Sequence, residues 1–112
     1  MGRVLLLWAT TWKKARTVER RIREFGVEEW DEIMTVNAKS VFLACQVFGK
    51  RLVEQGRGGS IINISSVSSV PPLFKVLIYS ASKASVNNLT QSLALIAPHR
   101  VQVNAIIPVF FW

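Results

Sequence analysis

Tyr79 and Lys83, four residues apart, are the pair in this 112-residue sequence best suited to chemistry. On a helix, the two side chains share one face and can approach each other. A phenol has a pKa near ~10, and a neighbouring ammonium should lower that pKa by favouring the phenolate. Such a tyrosine can protonate a carbonyl oxygen during reduction, or accept a proton from an alcohol. The alternative is an exposed helix whose lysine extends into solvent.

Ser66 is the third candidate, because it follows a short β-branched strand that we predict over residues 60–64. Open parallel sheets build their sites at the carboxyl ends of their strands. There the Ser66 hydroxyl could hold and polarise the same oxygen that Tyr79 protonates. A serine pair after a strand is more often a turn or a helix cap, so Ser65 and Ser66 gain weight only from the tyrosine.

The segment 26–53 is the best helix candidate, with four acidic residues in its first turns, where the helix dipole favours negative charge. Apolar residues recur at spacings of three and four. The stripe comprises Trp30, Ile33, Met34, Val41, Ala44 and Phe48. Asn37 interrupts it. A buried amide needs partners, so Asn37 is either a satisfied core asparagine or part of a helix irregularity that holds a water relaying protons to Lys83.

The remaining elements alternate in type along the chain. Residues 4–8 form a continuous apolar run typical of a buried strand, residues 79–97 a second helix ended by Pro98, and residues 101–107 a strand ended by Pro108. The order strand, helix, strand, helix, strand predicts an α/β fold. Its core is β-α-β-α-β, a partial doubly wound parallel sheet with helices on its faces.

Both helices are apolar over a wide arc. This predicts a homo-oligomer formed through the helices at 28–53 and 79–97. The net charge of +7 is concentrated in the basic segment 13–23, which we interpret as a solvated face. Nucleic-acid binding through that segment is the weaker alternative, because no base-reading motif accompanies it.

Composition sets further limits. Half of the residues are hydrophobic, as in a packed single domain. The one cysteine, Cys45, is predicted to be a small buried side chain, and it favours a reducing compartment. No apolar run is long enough to span a bilayer, so we predict a cytoplasmic protein with no membrane or nucleic-acid partner. We predict no metal site.

Five blocks of sequence, in order, resemble the second half of a short-chain dehydrogenase/reductase. They are Trp30-Asp31 through Val36-Asn37, Phe42-Leu43, Gly59-Ser60-Ile61-Ile62-Asn63-Ile64-Ser65-Ser66, Tyr79-Ser80-Ala81-Ser82-Lys83, and Val103-Asn104-Ala105-Ile106 with Pro108. The resemblance covers residues 27–108. It implies a Rossmann-like fold, NAD or NADP as cofactor, and a small-molecule alcohol or carbonyl substrate such as a sugar or polyol.

The resemblance also implies roles for individual residues. Asn37, Ser66, Tyr79 and Lys83 correspond to the catalytic tetrad of the family. Lys83, with Tyr79, would bind the cofactor ribose. Asn104 and Pro108 fall where the last site strand of the family meets the nicotinamide.

The sequence departs from the family in several places. It contains no glycine-rich turn after a first strand, the feature that binds the cofactor pyrophosphate. Leu7 and Trp8 stand where the family has two asparagines, the end of the second helix is one residue short, and Val109 replaces a glycine. We therefore expect one partial domain over 1–112, with a divergent segment 1–26, a family-like core 27–108 and a truncated tail 109–112. An inactive relic that acts as an oligomerisation module is the alternative function.

Overall fold

A computed structural model describes residues 22–71, 76–98 and 100–109. The predicted strand at 4–8, with Leu7 and Trp8, lies outside these residues, as does most of the basic segment 13–23. A single 3-10 turn, Ile22–Glu24, precedes the first long helix.

One continuous helical path runs through three consecutive elements: α1 (Val27–Met34), a π-helical turn (Thr35–Lys39) and α2 (Ser40–Gln55). It begins after the extended Gly26, with Glu28 and Glu29 in the first turn. It ends at Gly56, whose φ of 67° is left-handed and whose N–H bonds to the Val53 carbonyl. The helix predicted over 26–53 is confirmed, with its end two residues later.

The π-helical turn is the irregularity predicted around Asn37. The Ser40 N–H reaches back to the Thr35 carbonyl, and the Ser40 hydroxyl donates to the carbonyl of Val36. A π turn holds more residues than an α turn, so the inward face is reached later along the chain. Cys45 is buried, whereas Ala44 and Phe48 are exposed. The predicted stripe is therefore wrong at those two positions, and it is wrong also at Trp30, which lies before the π turn and is 43% exposed.

Two parallel strands form the sheet of the described residues. Strand β1 (Gly59–Ile64) pairs with β2 (Val101–Ile106), in a register that places Gly59 opposite Val101 and Ile64 opposite Ile106. Gly58 has a φ of 78°, and a Cβ there would lie 2.4 Å from the Arg100 carbonyl oxygen. A side chain cannot fit at position 58, because the chain segments that lead into the two strands approach each other closely there.

Helix α3 (Leu77–Ile96) connects the two strands and packs against both of them and against the π turn. It begins two residues before the predicted start and ends where Ala97 becomes extended ahead of Pro98. The order observed in the described residues is helix, β1, α3, β2. That order agrees with the predicted alternation from residue 27 onward.

The core between the helices and the sheet is small and partly polar. Its buried apolar side chains are Ile33, Cys45, Val76, Ile78, Tyr79, Val86 and Val103. Asn63 lies among them: its amide donates to Thr90 Oγ1 at 2.9 Å, and its oxygen accepts from Cys45 Sγ at 3.7 Å. Cys45 is thus buried as predicted, and burial raises the pKa of its thiol.

No helix within the described ranges combines the length and apolar character needed to cross a membrane.

The Asn63 contacts predict a measurable contribution to stability. Replacing Thr90 with valine preserves the side-chain volume but removes the acceptor for the Asn63 amide. We expect Thr90→Val to lower the free energy of unfolding by about 1–3 kcal/mol, because a buried donor is left without a partner. Urea unfolding followed by circular dichroism measures this.

Gln91→Ala is the matched control, since Gln91 is exposed on the same helix. It should change the free energy of unfolding by less than about 0.5 kcal/mol. Equal stabilities for the two variants would show that the Asn63 hydrogen bonds contribute nothing.

Candidate active site

The carboxyl ends of β1 and β2 form the edge at which the candidate residues lie. The Ser65 N–H donates to the Ile106 carbonyl at 2.8 Å, which extends the strand pairing by one residue beyond β1. Ser66 is the first residue past this ladder. Its backbone is extended, with φ −153° and ψ 153°, and it caps the short 3-10 turn Val67–Ser69. The cap predicted as the alternative for Ser66 is therefore present, beside the tyrosine.

The hydrogen bonds of the Ser66 hydroxyl determine where its proton points. The oxygen accepts from the Ser68 N–H at 3.3 Å and from the Ser68 hydroxyl at 3.1 Å. A serine hydroxyl has two lone pairs and one proton, so these bonds occupy both acceptor positions. The side chains of Ser66 and Tyr79 are hydrogen-bonded to each other. The Ser66 proton is thus the one available for the phenol oxygen.

Tyr79 lies in the first turn of α3 and is only 3% exposed. Burial raises the pKa of its phenol, because the phenolate is poorly solvated there, and the hydrogen bond from Ser66 lowers it in part. The net direction is upward. The predicted lowering of this pKa by Lys83 is therefore wrong, and the contribution that favours the phenolate comes from Ser66.

The position of Lys83 explains that difference. Its Nζ lies 5.7 Å from the centroid of the Tyr79 ring and donates to the Ile64 carbonyl at 3.0 Å. The ammonium is directed at the ring face and the end of β1. Burial lowers the pKa of Lys83 to about 8, so the ammonium form still predominates at neutral pH. The alternative of a lysine extended into solvent is wrong.

Asn37 reaches the same helix from the π turn. Its amide donates to the Ser82 hydroxyl at 3.0 Å, and Ser82 donates to the Tyr79 carbonyl at 2.6 Å. Asn37 therefore contacts the turn that carries both Tyr79 and Lys83. The side chain has a partner, as expected of a core asparagine, and the helix around it is irregular, as expected of the relay. The relayed water stays a prediction.

Asn104 and Pro108 occupy different positions on β2 and beyond it. Asn104 lies within the strand, opposite Ile62, and is exposed. Pro108 lies two residues past Ile106, at the same edge as Ser66. The structure joins Asn37, Ser66, Tyr79 and Lys83 through contacts on α3 and β1. It places Pro108 at their edge of the sheet and Asn104 inside the strand.

Two serines with direct roles were missed from the sequence. Ser82 is fully buried, and it lies at helical spacing from Tyr79 and Val86. A polar residue on the core face of a helix could have been recognised from this spacing in the sequence. Ser68 is 3% exposed and supplies both donors to Ser66. Nothing in the sequence distinguishes it from its serine neighbours, because its role depends on the shape of the 3-10 turn.

The donors at this edge suit a polyhydroxylated ligand. Lys83 has three ammonium protons, and the Ile64 carbonyl accepts one of them. The hydroxyls of Ser66 and Tyr79 converge and can bind one oxygen atom between them. No group of three metal-ligating His, Cys, Asp or Glu side chains occurs in the part of the chain that the structure describes.

The chain contains a single tyrosine, so its titration reports the site directly. We expect the phenol absorbance near 295 nm to titrate above the ordinary value of ~10, because burial disfavours the phenolate. Ser66→Ala should raise the Tyr79 pKa further, because it removes the hydroxyl that stabilises the phenolate. Ser92→Ala, an exposed serine on the same helix, is the control. A Ser66→Ala curve that coincides with that of the parent chain would contradict the hydrogen bond.

Known proteins are similar to this chain in sequence over most of its length. A model of the short chain dehydrogenase family matches residues 5–111. The 2-dehydro-3-deoxy-D-gluconate 5-dehydrogenase of Dickeya dadantii is 43% identical over 86 residues, which are 76% of this chain and 34% of that protein. The NAD-dependent glycerol dehydrogenase of Listeria innocua is 44% identical over 72% of this chain and 32% of its own length. The chain thus spans about a third of the relatives it matches.

Solved structures show the same likeness. The acetoin dehydrogenase of Enterobacter cloacae superposes with a TM-score of 0.76 and 35% identity, over 82% of this chain and 38% of that one. The gluconate 5-dehydrogenase of Burkholderia cenocepacia, solved with NADP and tartrate, superposes with a TM-score of 0.76 and 29% identity, over 85% of this chain and 37% of that one. These matches confirm the predicted α/β, Rossmann-like class. The chain belongs to the short-chain dehydrogenase family of oxidoreductases.

Proposed function

We propose that this site transfers hydride between NAD or NADP and a secondary alcohol or carbonyl on a polyhydroxylated small molecule, a sugar acid or polyol. The observation that carries the proposal is the contact of Ser66, Tyr79 and Lys83 at the carboxyl edge of the parallel strands. Two convergent hydroxyls and a buried ammonium are the groups that such a reaction requires of the protein.

Each residue has a distinct task in the proposed reaction. The nicotinamide, when bound, supplies or accepts the hydride. Tyr79 donates its phenol proton to the carbonyl oxygen during reduction, and its raised pKa keeps that proton in place at neutral pH. When the substrate is bound, the Ser66 hydroxyl turns its one proton from the phenol oxygen to the same carbonyl oxygen. Lys83 binds ribose hydroxyls with the ammonium protons that the Ile64 carbonyl does not accept.

Asn37 completes the proposed set as a positioning residue and a holder of the relay water. Its bond to Ser82 fixes the turn of α3 between Tyr79 and Lys83. Asn104 and Pro108 are proposed to meet the nicotinamide end of the cofactor. Pro108, at the edge, is better placed for this than Asn104, which lies within β2.

The substrate class rests on the relatives. They include a gluconate-derivative dehydrogenase, a glycerol dehydrogenase and a probable galactose dehydrogenase of Rhizobium meliloti. Their named substrates share adjacent hydroxyl groups, which suit a site lined by serine hydroxyls. One relative is NAD-dependent and one structure holds NADP, so the proposal includes both cofactors.

The activity of the whole enzyme is part of the proposal, because this sequence spans about a third of its relatives and lacks the glycine-rich pyrophosphate-binding turn. The comparisons give no support to the alternative of an inactive relic. The division into 1–26, 27–108 and 109–112, the cytoplasmic location and the absence of a nucleic-acid partner stay predictions.

Cofactor binding tests the proposal most directly. We expect reduced-nicotinamide fluorescence to change when NADH or NADPH is titrated with the chain, and Tyr79→Phe to abolish turnover of a sugar-acid or polyol substrate at 340 nm. Removing the proton donor should leave the cofactor affinity largely unchanged, because Lys83 remains. Ser92→Ala is the control for both measurements.

Two results would contradict the proposal. Retained turnover in Tyr79→Phe would remove Tyr79 from the role of proton donor. No fluorescence change at millimolar NADH and NADPH would show that residues 1–112 do not bind the cofactor unaided.

The helices expose an apolar surface that we assign to a second copy of this chain. The large side chains Phe42, Leu43, Val47 and Phe48 are 43–66% exposed on α2. A groove between the π turn with α2 and α3 is lined mainly by apolar and small polar residues, with Lys39 as its one charged residue: Ala38, Lys39, Phe42, Ser85, Asn88, Leu89 and Ser92. Apolar patches of this kind mark protein interfaces, and closed homodimers bury the same patch on both subunits.

A charge in that groove should disrupt self-association. We expect Phe42→Glu to convert the oligomer to a monomer in size-exclusion chromatography with light scattering, because a carboxylate would be desolvated in the interface. Val70→Glu is the matched control, since Val70 is 71% exposed in the segment after β1. A parent chain that is monomeric at all concentrations would contradict the interface.

A further inference from the structure

Asn87 is a polar side chain of α3 that has no part in the mechanism above, yet it is connected to Ser66. Its Nδ2 donates to the Ser69 hydroxyl at 2.7 Å, and that hydroxyl donates to the Ser66 carbonyl. Two hydrogen bonds thus connect the middle of α3 to the backbone of the serine that contacts Tyr79. Ser69 is the last residue of the 3-10 turn that Ser66 caps.

The direction of these bonds follows from counting protons. A serine hydroxyl has one proton, and that of Ser69 goes to the Ser66 carbonyl. Ser69 can therefore only accept from Asn87, which requires the amide nitrogen rather than the amide oxygen to face it. Both the orientation of the Asn87 amide and the position of the Ser66 carbonyl are fixed by this pair.

The other end of the Asn87 amide supports a geometric role. Its Oδ1 is buried and accepts no hydrogen bond from the described residues. A buried oxygen without a donor is unfavourable, because it has lost its hydrogen bonds to water and gained none in the protein. An apolar side chain would pack at this position without burying an unpaired oxygen. The favourable contribution of Asn87 therefore comes from its amide nitrogen, which donates to Ser69, and from the bond of Ser69 to the Ser66 carbonyl.

We propose that Asn87, acting through Ser69, is a positioning residue that aims the Ser66 hydroxyl at Tyr79. Helix α3 carries both Asn87 and Tyr79, so the two bonds fix the Ser66 backbone to the element that holds its reaction partner. Together with the two donors from Ser68, they leave the Ser66 hydroxyl one direction in which to donate. The inference rests on the proposed role of Ser66 in the reaction.

The alternative is a purely structural connection between the 3-10 turn and α3. The two interpretations differ in what happens at Tyr79 when Asn87 is changed. A structural connection alters only stability, whereas a positioning residue alters the hydrogen bond from Ser66 to the phenol. The single tyrosine, labelled with ¹³C at Cζ, gives one NMR signal that follows its ionisation without any cofactor.

The experiment measures the Tyr79 titration in Asn87→Ala and Asn87→Asp. We expect both to raise the Tyr79 pKa by at least half of the rise that Ser66→Ala produces. Aspartate keeps the shape of the side chain but has no N–H for Ser69, and it draws the Ser69 proton away from Ser66. A double variant, Asn87→Ala with Ser66→Ala, should show no rise beyond Ser66→Ala alone.

Two controls separate positioning from loss of stability. Gln91→Ala changes an exposed amide side chain of the same helix, outside the groove, and should leave the titration unchanged. Thr90→Val should destabilise the fold through Asn63 while leaving Tyr79 unchanged, because its contacts lie on another part of α3. A Thr90→Val shift equal to that of Asn87→Ala would overturn the proposal.

Ser69 supplies a second pair of variants that holds even if the Asn87 variants fail to fold. Ser69→Ala should raise the Tyr79 pKa, and Ser69→Thr, which keeps the hydroxyl, should restore the parent value. A titration unaffected by either Asn87→Ala or Ser69→Ala, while Ser66→Ala shifts it, would overturn the positioning role. The measurement needs no turnover, so failure to bind NADH would count against the proposed function alone.

Discussion

The burial of the Lys83 ammonium between α3 and the end of β1 is the constraint on which the rest of this site depends. A charged group that is 3% exposed must find compensation inside the protein. The Ile64 carbonyl and the face of the Tyr79 ring supply it. The Ser65 hydroxyl also donates to the Lys83 carbonyl at 3.2 Å. The contacts of Lys83 therefore fix α3 to the carboxyl end of β1. Ser66 is the residue directly after Ser65 at that end.

Helix α3 is connected to three of its neighbouring elements by polar contacts. The π turn reaches it through Asn37 and Ser82, and β1 reaches it through Asn63 and Thr90. The 3-10 turn reaches it through Ser69 and Asn87. Hydrogen bonds between neutral groups add little net stability, but a misplaced buried polar group is costly, so such contacts favour one alignment of the helix over all others. The polar core thus specifies position more than it adds stability.

The sequence predicted the features that depend on local periodicity. The helix from residue 27, the strands β1 and β2, and the Tyr79–Lys83 pair all follow from spacing and flanking signals, and all are present. A helix irregularity was one of the two interpretations of Asn37, an amide on an apolar stripe, and the structure contains it. Its consequence for Ala44 and Phe48 was not predicted, because a regular helical period was carried through a turn that contains an extra residue.

The direction in which the Tyr79 pKa is shifted could not be predicted from the sequence, for a different reason. Spacing shows that an ammonium can approach a phenol, but it shows neither the burial of the phenol nor the atom to which the ammonium donates. Burial outweighs the hydrogen bond from Ser66, and Lys83 is directed at the ring and Ile64. The role of Ser68 could not be predicted for the same reason, since its two donors reach Ser66 only because of the shape of the 3-10 turn.

The residues that orient the proton donor are distinct from the turn that binds the cofactor pyrophosphate in the family. The hydrogen bonds that connect Ser66 to Ser68, to Ser69 and through Ser69 to Asn87 are all formed by this chain, and so is the contact of Asn37 with Ser82 beside Tyr79. The glycine-rich turn that binds pyrophosphate in the family is not in the sequence. The tuning of the proton donor is therefore a local property of β1, the 3-10 turn and α3. Its energy can be measured on this chain alone, because a phenol held by a serine titrates whether or not a nicotinamide is beside it.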